Sequence, residues 1–138
     1  MSDMRDFNQG IIEEFRANHG KVGSGFEGSP LVLLTTTGAK SGETRINPLV
    51  CLPEDDGTIY IFASAGGAPH SPAWYYNLVA HPEVGLEIGD EKVTATATPV
   101  TGAKRDAIYA RQAEQFAAFA DYEKKTTRII PVVALTRN

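Results

Sequence analysis

Leu31-Val32-Leu33-Leu34-Thr35-Thr36-Thr37 runs into Gly38-Ala39-Lys40-Ser41-Gly42-Glu43-Thr44, and then into Arg45-Ile46-Asn47-Pro48-Leu49-Val50-Cys51-Leu52. Two runs rich in β-branched and apolar residues flank a connection with two glycines and a lysine, the signature of a β-hairpin. The connection is richer in anion-holding groups than folding requires. Backbone N–H groups near Gly38 and Gly42 can be exposed, Ser41 and Thr44 offer hydroxyls, and Lys40 and Arg45 carry positive charge. The expectation is a hairpin that grips a phosphate or carboxylate on a cofactor. Asn47-Pro48 interrupts the second run. Proline cannot donate to a ladder, so this point is an edge, a bulge, or a place where a ligand lies against the backbone.

Downstream, Pro53-Glu54-Asp55-Asp56-Gly57 reads as a tight turn, with Asp-Gly supplying positive φ. Its three carboxylates could suggest a metal, but no further ligands lie at loop spacing, and no metal site is expected. Thr58 to Ala63 is a third strand. It ends in the small-residue run Ser64-Ala65-Gly66-Gly67-Ala68-Pro69-His70-Ser71-Pro72, followed by a short helix over Ala73 to Ala80. Ser71 suits the N-cap and Pro72 the first helical position. A small-residue loop leading into a helix N-terminus lets a ligand approach the backbone and offers N–H groups to an anion. It can equally be an ordinary connection. His70 is a candidate donor or acid, or a solvated loop histidine. Trp74 and Leu78 stand four apart and suit the core.

Two further strands follow, Val84 to Ile88 and Glu91 to Thr98, around a Gly89-Asp90 turn. Val93-Thr94-Ala95-Thr96-Ala97-Thr98 alternates a small apolar face with a hydroxyl face, leaving room for a ligand or a second subunit. Thr101 to Tyr122 reads as one long helical region, with Phe116, Phe119 and Tyr122 at helical spacing. They are core residues, or they line an aromatic pocket. Ile129 to Leu135 is a last strand that closes the sheet. At the other end, Asp3 to Asn18 is an amphipathic helix carrying Met4, Phe7, Ile11, Ile12 and Phe15 on one stripe. A glycine-rich loop over 21–29 follows it, placed to lie over a site.

The chain has 138 residues, enough for one domain over 1–138 with a real core. Its net charge is −4, and its 13 Lys and Arg residues are scattered, which argues against nucleic acid. The single cysteine, Cys51, precludes an internal disulfide. The acidic start lacks the apolar stretch of a signal peptide, and no apolar run reaches the ~20 residues of a membrane span, so the expectation is cytoplasmic. Hairpins dominate and no βαβ repeat is present. The predicted architecture is α+β: a predominantly antiparallel sheet curled into a barrel with flanking helices. No nucleophile elbow, Cys-His pair or Walker loop occurs. If the protein is an enzyme, a cofactor carries the chemistry.

Three stretches, taken together, resemble the deazaflavin-dependent nitroreductase family of actinobacteria, whose members use coenzyme F420. They are Leu33 to Gly42 continuing through Arg45-Ile46-Asn47-Pro48-Leu49; Ala63-Ser64-Ala65-Gly66-Gly67 with Pro72-Ala73-Trp74-Tyr75-Tyr76-Asn77-Leu78; and Arg128-Ile129-Ile130-Pro131-Val132-Val133. The resemblance implies a split β-barrel like that of FMN-binding relatives, and hydride transfer from reduced F420 to a quinone, an activated enone or a nitroaromatic. Lys40, Ser41 and Arg45 would hold the cofactor's phosphate and acidic tail. Asn47, Pro48, Leu49 and Ala63, Ser64, Ala65, Gly66, Gly67 would lie along the deazaflavin ring and its side chain, with Trp74 and Asn77 among the cofactor contacts. Phe116, Phe119 and Tyr122 would face the acceptor, and solvent, or else Tyr122 or Ser64, would supply a proton. Two departures stand out. Ala65 replaces a lysine common in the family, and Phe116 and Phe119 replace tyrosines of members that reduce nitro drugs. FMN is the alternative cofactor, and a non-catalytic binder of cofactor or lipophilic ligand is the alternative function. A homodimer and peripheral contact at the inner membrane face are further implications.

Overall fold

A computed structural model of the chain describes residues 2–22 and 30–138. The side chains of Met4 and Phe7 and the glycine-rich connection over 23–29 lie outside what is described. The chain order is α1 (Ser2–Ala17), β1 (Leu31–Thr37), β2 (Thr44–Val50), β3 (Leu52–Pro53), β4 (Ile59–Phe62), a 3-10 turn (Ala65–Gly67), α2 (Ala73–Ala80), β5 (Glu83–Ile88), β6 (Glu91–Val100), α3 (Gly102–Gln115), α4 (Ala117–Lys125) and β7 (Val132–Arg137).

The predicted hairpin forms with Thr37 opposite Thr44 and Leu33 opposite Pro48. The seven strands make one sheet in the order β2-β1-β5-β6-β7-β4-β3, and every pairing is antiparallel. β2 is an edge, which is where the Asn47-Pro48 break can be tolerated. The two edges, β2 and β3, are separated in sequence by Cys51 alone. Six strand spacings in a flat sheet would hold them roughly 29 Å apart, whereas the two steps from Val50 to Leu52 span at most about 7 Å. The sheet therefore curls until its ends meet at Cys51, giving the predicted split barrel.

Period-2 alternation sorts the side chains into layers. Val32 and Leu34 of β1, Ile59 and Ile61 of β4, Ala95 and Ala97 of β6, and Val133 and Leu135 of β7 fill one buried cluster together with Trp74 and Leu78 of α2. The small apolar face of β6 thus points inward, and Thr94, Thr96 and Thr98 are exposed. The opposite faces are covered from outside. Leu31 and Leu33 pack under Ile11, Ile12 and Phe15 of α1. Tyr60, Phe62 and Val132 pack under Ile108, Tyr109 and Phe119 of α3 and α4. Each such apolar side chain contributes about 1.5–3 kcal/mol on full burial, which offsets the ordering of a short amphipathic helix.

Three sequence expectations need correction. The helical region from Thr101 to Tyr122 is two helices, broken where Phe116 adopts an extended backbone (φ −134°, ψ 100°). The break lets α4 swing Phe119 against Phe62, with centroids 5.6 Å apart, and lets the Tyr109 hydroxyl donate to the Phe119 carbonyl at 2.7 Å. Pro72, rather than Ser71, occupies the N-cap of α2, and no side chain caps that helix. The Ser71 hydroxyl is taken by Arg128, at 3.2 Å from Nη1. The last strand starts at Val132 because the Ile130 carbonyl accepts from Arg105 (Nε 3.0 Å, Nη2 2.8 Å). This strand does not end the sheet. It lies inside it, between β6 and β4.

Candidate active site

The β1–β2 connection and the start of α2 face each other across a cleft of 710 Å³. Gly38, Ala39, Lys40, Ser41, Arg45 and Asn47 form one wall, and Pro72, Ala73, Trp74, Tyr76 and Asn77 form the other. Asn77 joins the two walls. It is buried, its Oδ1 accepts from the Ala39 N–H at 2.9 Å, and its Nδ2 donates to Thr36 Oγ1 at 3.2 Å.

The hairpin tip spends its own backbone donors on its shape. The Gly38 N–H donates to the Glu43 carbonyl at 2.7 Å, and the Gly42 N–H donates to the Gly38 carbonyl at 3.0 Å. Those two N–H groups are therefore not the exposed anion donors that the sequence suggested. Ser41 Oγ likewise accepts from the Glu43 N–H at 3.1 Å. A side chain on Gly38 would bring its Cβ within 2.5 Å of Ser41 Oγ, so glycine is what lets the tip fold this tightly. Positive charge enters the cleft through Lys40 and Arg45, both exposed, with Arg45 Nη2 3.3 Å from Glu43 Oε2. The opposite wall adds the first turn of α2. The Tyr75 N–H donates to the Pro72 carbonyl at 3.0 Å, while those of Ala73 and Trp74, at the positive end of the helix, have no intrahelical carbonyl and no side-chain cap. Two cations and an open helix N-terminus around one cleft suit an elongated anion. The volume lies within the ~300–1,000 Å³ typical of cofactor sites. The residues present fit a phosphorylated, acid-tailed cofactor.

The other expected site residues lie elsewhere. Pro48 and Leu49 continue β2 beyond the cleft lining. Ala63 and Ser64 are buried at the end of β4, and Ala65 to Gly67 form the turn that follows. Ala65 has φ +47°, a left-handed conformation unusual for a residue with a Cβ. Phe119 is buried in the outer aromatic cluster with Phe116 and Tyr122 packed on it, and the Phe119 and Tyr122 rings are 5.2 Å apart. None of the three lines the cleft. His70 is exposed, with Nδ1 3.3 Å from the Ser71 carbonyl. Cys51 is 2% exposed, and burial pushes its thiol up to about 12, so it is a core residue. No group of three or more metal-ligating side chains occurs among the described residues.

Two site residues escaped the sequence reading. Tyr76 lines the cleft while half exposed. The signal for it was present in α2, whose Ala73-Trp74-Tyr75-Tyr76-Asn77-Leu78-Val79-Ala80 is apolar on more than one face. Arg128, which heads the third family-like stretch but was given no role there, donates to the Ala63, Ser64 and Ala68 carbonyls and to Ser71 Oγ. Its partners lie 57 to 65 residues away, and no local pattern announces them.

A family model described as F420H(2)-dependent quinone reductase matches residues 9–137. The chain belongs to that family. An F420H(2)-dependent quinone reductase of Mycobacterium tuberculosis is 38% identical over 129 residues, covering 89% of this chain and 85% of that protein. A solved structure of an F420-H2 dependent reductase is 40% identical with a TM-score of 0.70, over 77% of this chain and 93% of that one. A second, described as a domain-swapped dimer, is 36% identical with a TM-score of 0.71, over 96% of both chains. The expected family, fold, oxidoreductase class and F420 dependence all agree with this membership. Within the F420H(2)-dependent quinone reductases, the acceptor carried in the name is a quinone rather than a nitro compound. Among the described residues, no helix is long and apolar enough to cross a membrane.

Proposed function

We propose that this protein reduces a quinone with F420H2, and that the cleft between the β1–β2 connection and α2 seats the anionic part of the coenzyme. The observation that carries this reading is the convergence of Lys40, Arg45 and the uncapped start of α2 on one cleft, in a chain of this family. Bound F420H2 supplies a hydride. The chain's own residues bind, orient and exclude water. Lys40 and Arg45 hold the phosphate and acidic tail. Asn77 keeps Lys40's loop against α2. Ser41, Asn47, Pro48 and Leu49 border the coenzyme on the hairpin side. Trp74 and the Ala63 to Gly67 segment border it on the other, which brings donor and acceptor to a near-attack distance. The acceptor side is the outer aromatic cluster of Phe116, Phe119 and Tyr122, which lies outside the cleft and where the half-buried Phe116 and Tyr122 rings can meet a ligand over the buried Phe119. Solvent, or else Tyr122 Oη or the buried Ser64 Oγ, supplies the proton that completes reduction. Enones and nitroaromatics are further acceptors to screen.

Quinones are lipophilic. Tyr76, which lines the cleft, and Val79 three residues on are each half exposed on α2 and offer apolar surface for peripheral contact with the inner membrane face. The related domain-swapped dimer supports a homodimer. The test is a fluorescence titration with F420 and, in parallel, FMN, followed by quinone reduction with F420H2. Micromolar or tighter binding of the deazaflavin, and quinone-dependent oxidation of its reduced form, are expected. Lys40→Ala combined with Arg45→Ala should weaken binding by about 2–5 kcal/mol. Unchanged affinity in that double variant, or a preference for FMN, sinks the assignment.

A further inference from the structure

We propose that Arg128 is a positioning residue of the active site, acting from behind it. Its guanidinium clamps the loop over 63–71 into the shape that both coenzyme and acceptor require. The proposal rests on the function just given, since it assigns the loop's shape to that reaction.

The geometry is specific. Arg128 Nη2 donates to the Ala63 carbonyl at 3.1 Å and the Ser64 carbonyl at 3.0 Å, Nε to the Ala68 carbonyl at 2.9 Å, and Nη1 to Ser71 Oγ at 3.2 Å. One planar cation thus fixes the exit of β4, the exit of the 3-10 turn and the residue before the α2 cap. The acceptors are spread around the fork, and only a guanidinium serves them together. Arg128 is half-buried and does not line the cleft.

The clamped loop is one that needs holding. Ser64 is right-handed helical (φ −78°, ψ −35°), and Ala65 beside it is left-handed at φ +47°. A residue with a Cβ persists there only when its surroundings over-determine it. The same loop touches α4. A Cβ placed on Gly67 would lie 2.9 Å from Lys125 Cβ and 3.1 Å from the Tyr122 carbonyl oxygen. Arg128 follows α4 in the chain. It therefore ties together the segment bearing Ser64, the segment bearing Tyr122 and the start of the helix that walls the cleft. Misplacement of these by an ångström is enough to cost roughly 10²-fold in rate.

The test uses the whole protein with Arg128→Ala and Arg128→Lys. Hydrogen exchange is read at the amides of 64–71, F420 affinity by fluorescence, and kcat separately from KM. In Arg128→Ala, faster exchange confined to this loop is expected, with F420 affinity down about tenfold or more for the lost charged hydrogen bonds. The fall in kcat should exceed the rise in quinone KM. Millimolar guanidinium should restore affinity and loop protection, a rescue that a globally misfolded variant would not show. Arg128→Lys keeps the charge and the fold and should still lose most of the affinity. If Arg128→Ala does not fold, Arg128→Lys decides alone. Wild-type exchange and affinity in Arg128→Lys would overturn the clamp, as would a folded Arg128→Ala that guanidinium does not rescue. If the wild-type protein binds no F420, the functional reading fails, and loop exchange in the two variants still judges the clamp.

Discussion

At the scale of single residues, charge in the cleft is set by one unfavourable neighbour. Glu43 sits at the hairpin tip with a carboxylate 3.3 Å from Arg45 Nη2. It offsets part of the field that Lys40 and Arg45 present to an anion. Both partners of this ion pair are exposed, so its energetic worth is small and falls with salt. Glu43→Gln keeps the shape of the side chain and removes the charge. F420 affinity should rise about two- to fivefold at low ionic strength, and the gain should shrink as salt is added. A titration at two salt concentrations reads both effects, and equal affinity at low salt would remove Glu43 from the account. The residues of this cleft were partly legible in the sequence. Lys40, Ser41 and Arg45 announce themselves because a hairpin tip needs no such groups to fold. Asn77 is visible only as part of a motif, since its work is to bond Ala39 and Thr36 across some forty residues. Arg128 is visible as the head of a motif too, but its role was not legible, because most of its acceptors are backbone carbonyls, which any residue supplies.

Among the elements, the strands and their order of hairpins could be read, and the helix boundaries less so. Alternation marks a strand wherever one face is buried, and here β1 and β4 are buried on both faces, by the barrel interior on one side and by outer helices on the other, yet turn residues still bracket them. The α3–α4 break could not be read because Phe116 is apolar and tolerates a helix. Only the fit of Phe119 against Phe62 and Tyr109 forces the extended turn. The contact between α4 and the Ala65–Gly67 turn makes a demand of its own. Gly67 is at φ +86°, and a Cβ there would lie 2.9 Å from Lys125 Cβ. Gly67→Ala meets both backbone strain and crowding, and should cost about 1–3 kcal/mol in chemical denaturation. A neutral result would mean that α4 moves freely off the turn. The N-terminal helix is tied to the sheet by a two-pronged pair, Arg16 Nε and Nη2 to the two Glu87 oxygens at 2.9 and 2.8 Å. The Arg16 hydrogen bond holds the Glu87 carboxyl below its ordinary value of 4.5. A lowered carboxyl stabilises the fold fully above its unfolded value, and that contribution disappears as pH falls through the folded value. Thermal melts should therefore show wild type above Glu87→Gln at pH 7, with the gap closing on acidification below 4.5. A gap independent of pH would rule out the ion pair as its source.

For the whole molecule, the fold turns on a single link. Cys51 joins the two edge strands of a seven-stranded sheet, and its N–H donates to the Pro30 carbonyl at 3.0 Å. Its thiol faces the same buried cluster as Trp74. If the barrel holds together as one cooperative unit, the seam at Cys51 opens only when everything opens. The thiol then reports global unfolding. Burial pushes it up to about 12, so at mildly alkaline pH the reactive thiolate is far scarcer than in an exposed cysteine. Labelling by a disulfide reagent should be negligible in native buffer. It should rise with denaturant along the same curve as the fluorescence of Trp74, the one tryptophan of the chain. Cys51→Ser would place an unpartnered hydroxyl at the seam and lower stability by about 1–3 kcal/mol without shifting the cooperativity of that curve. Labelling that is fast without denaturant, while Trp74 stays native, would mean that the barrel splits along Cys51 before it unfolds. The two edge strands would then be a hinge rather than a closure, and β2, which carries Arg45 and Asn47, would move with them.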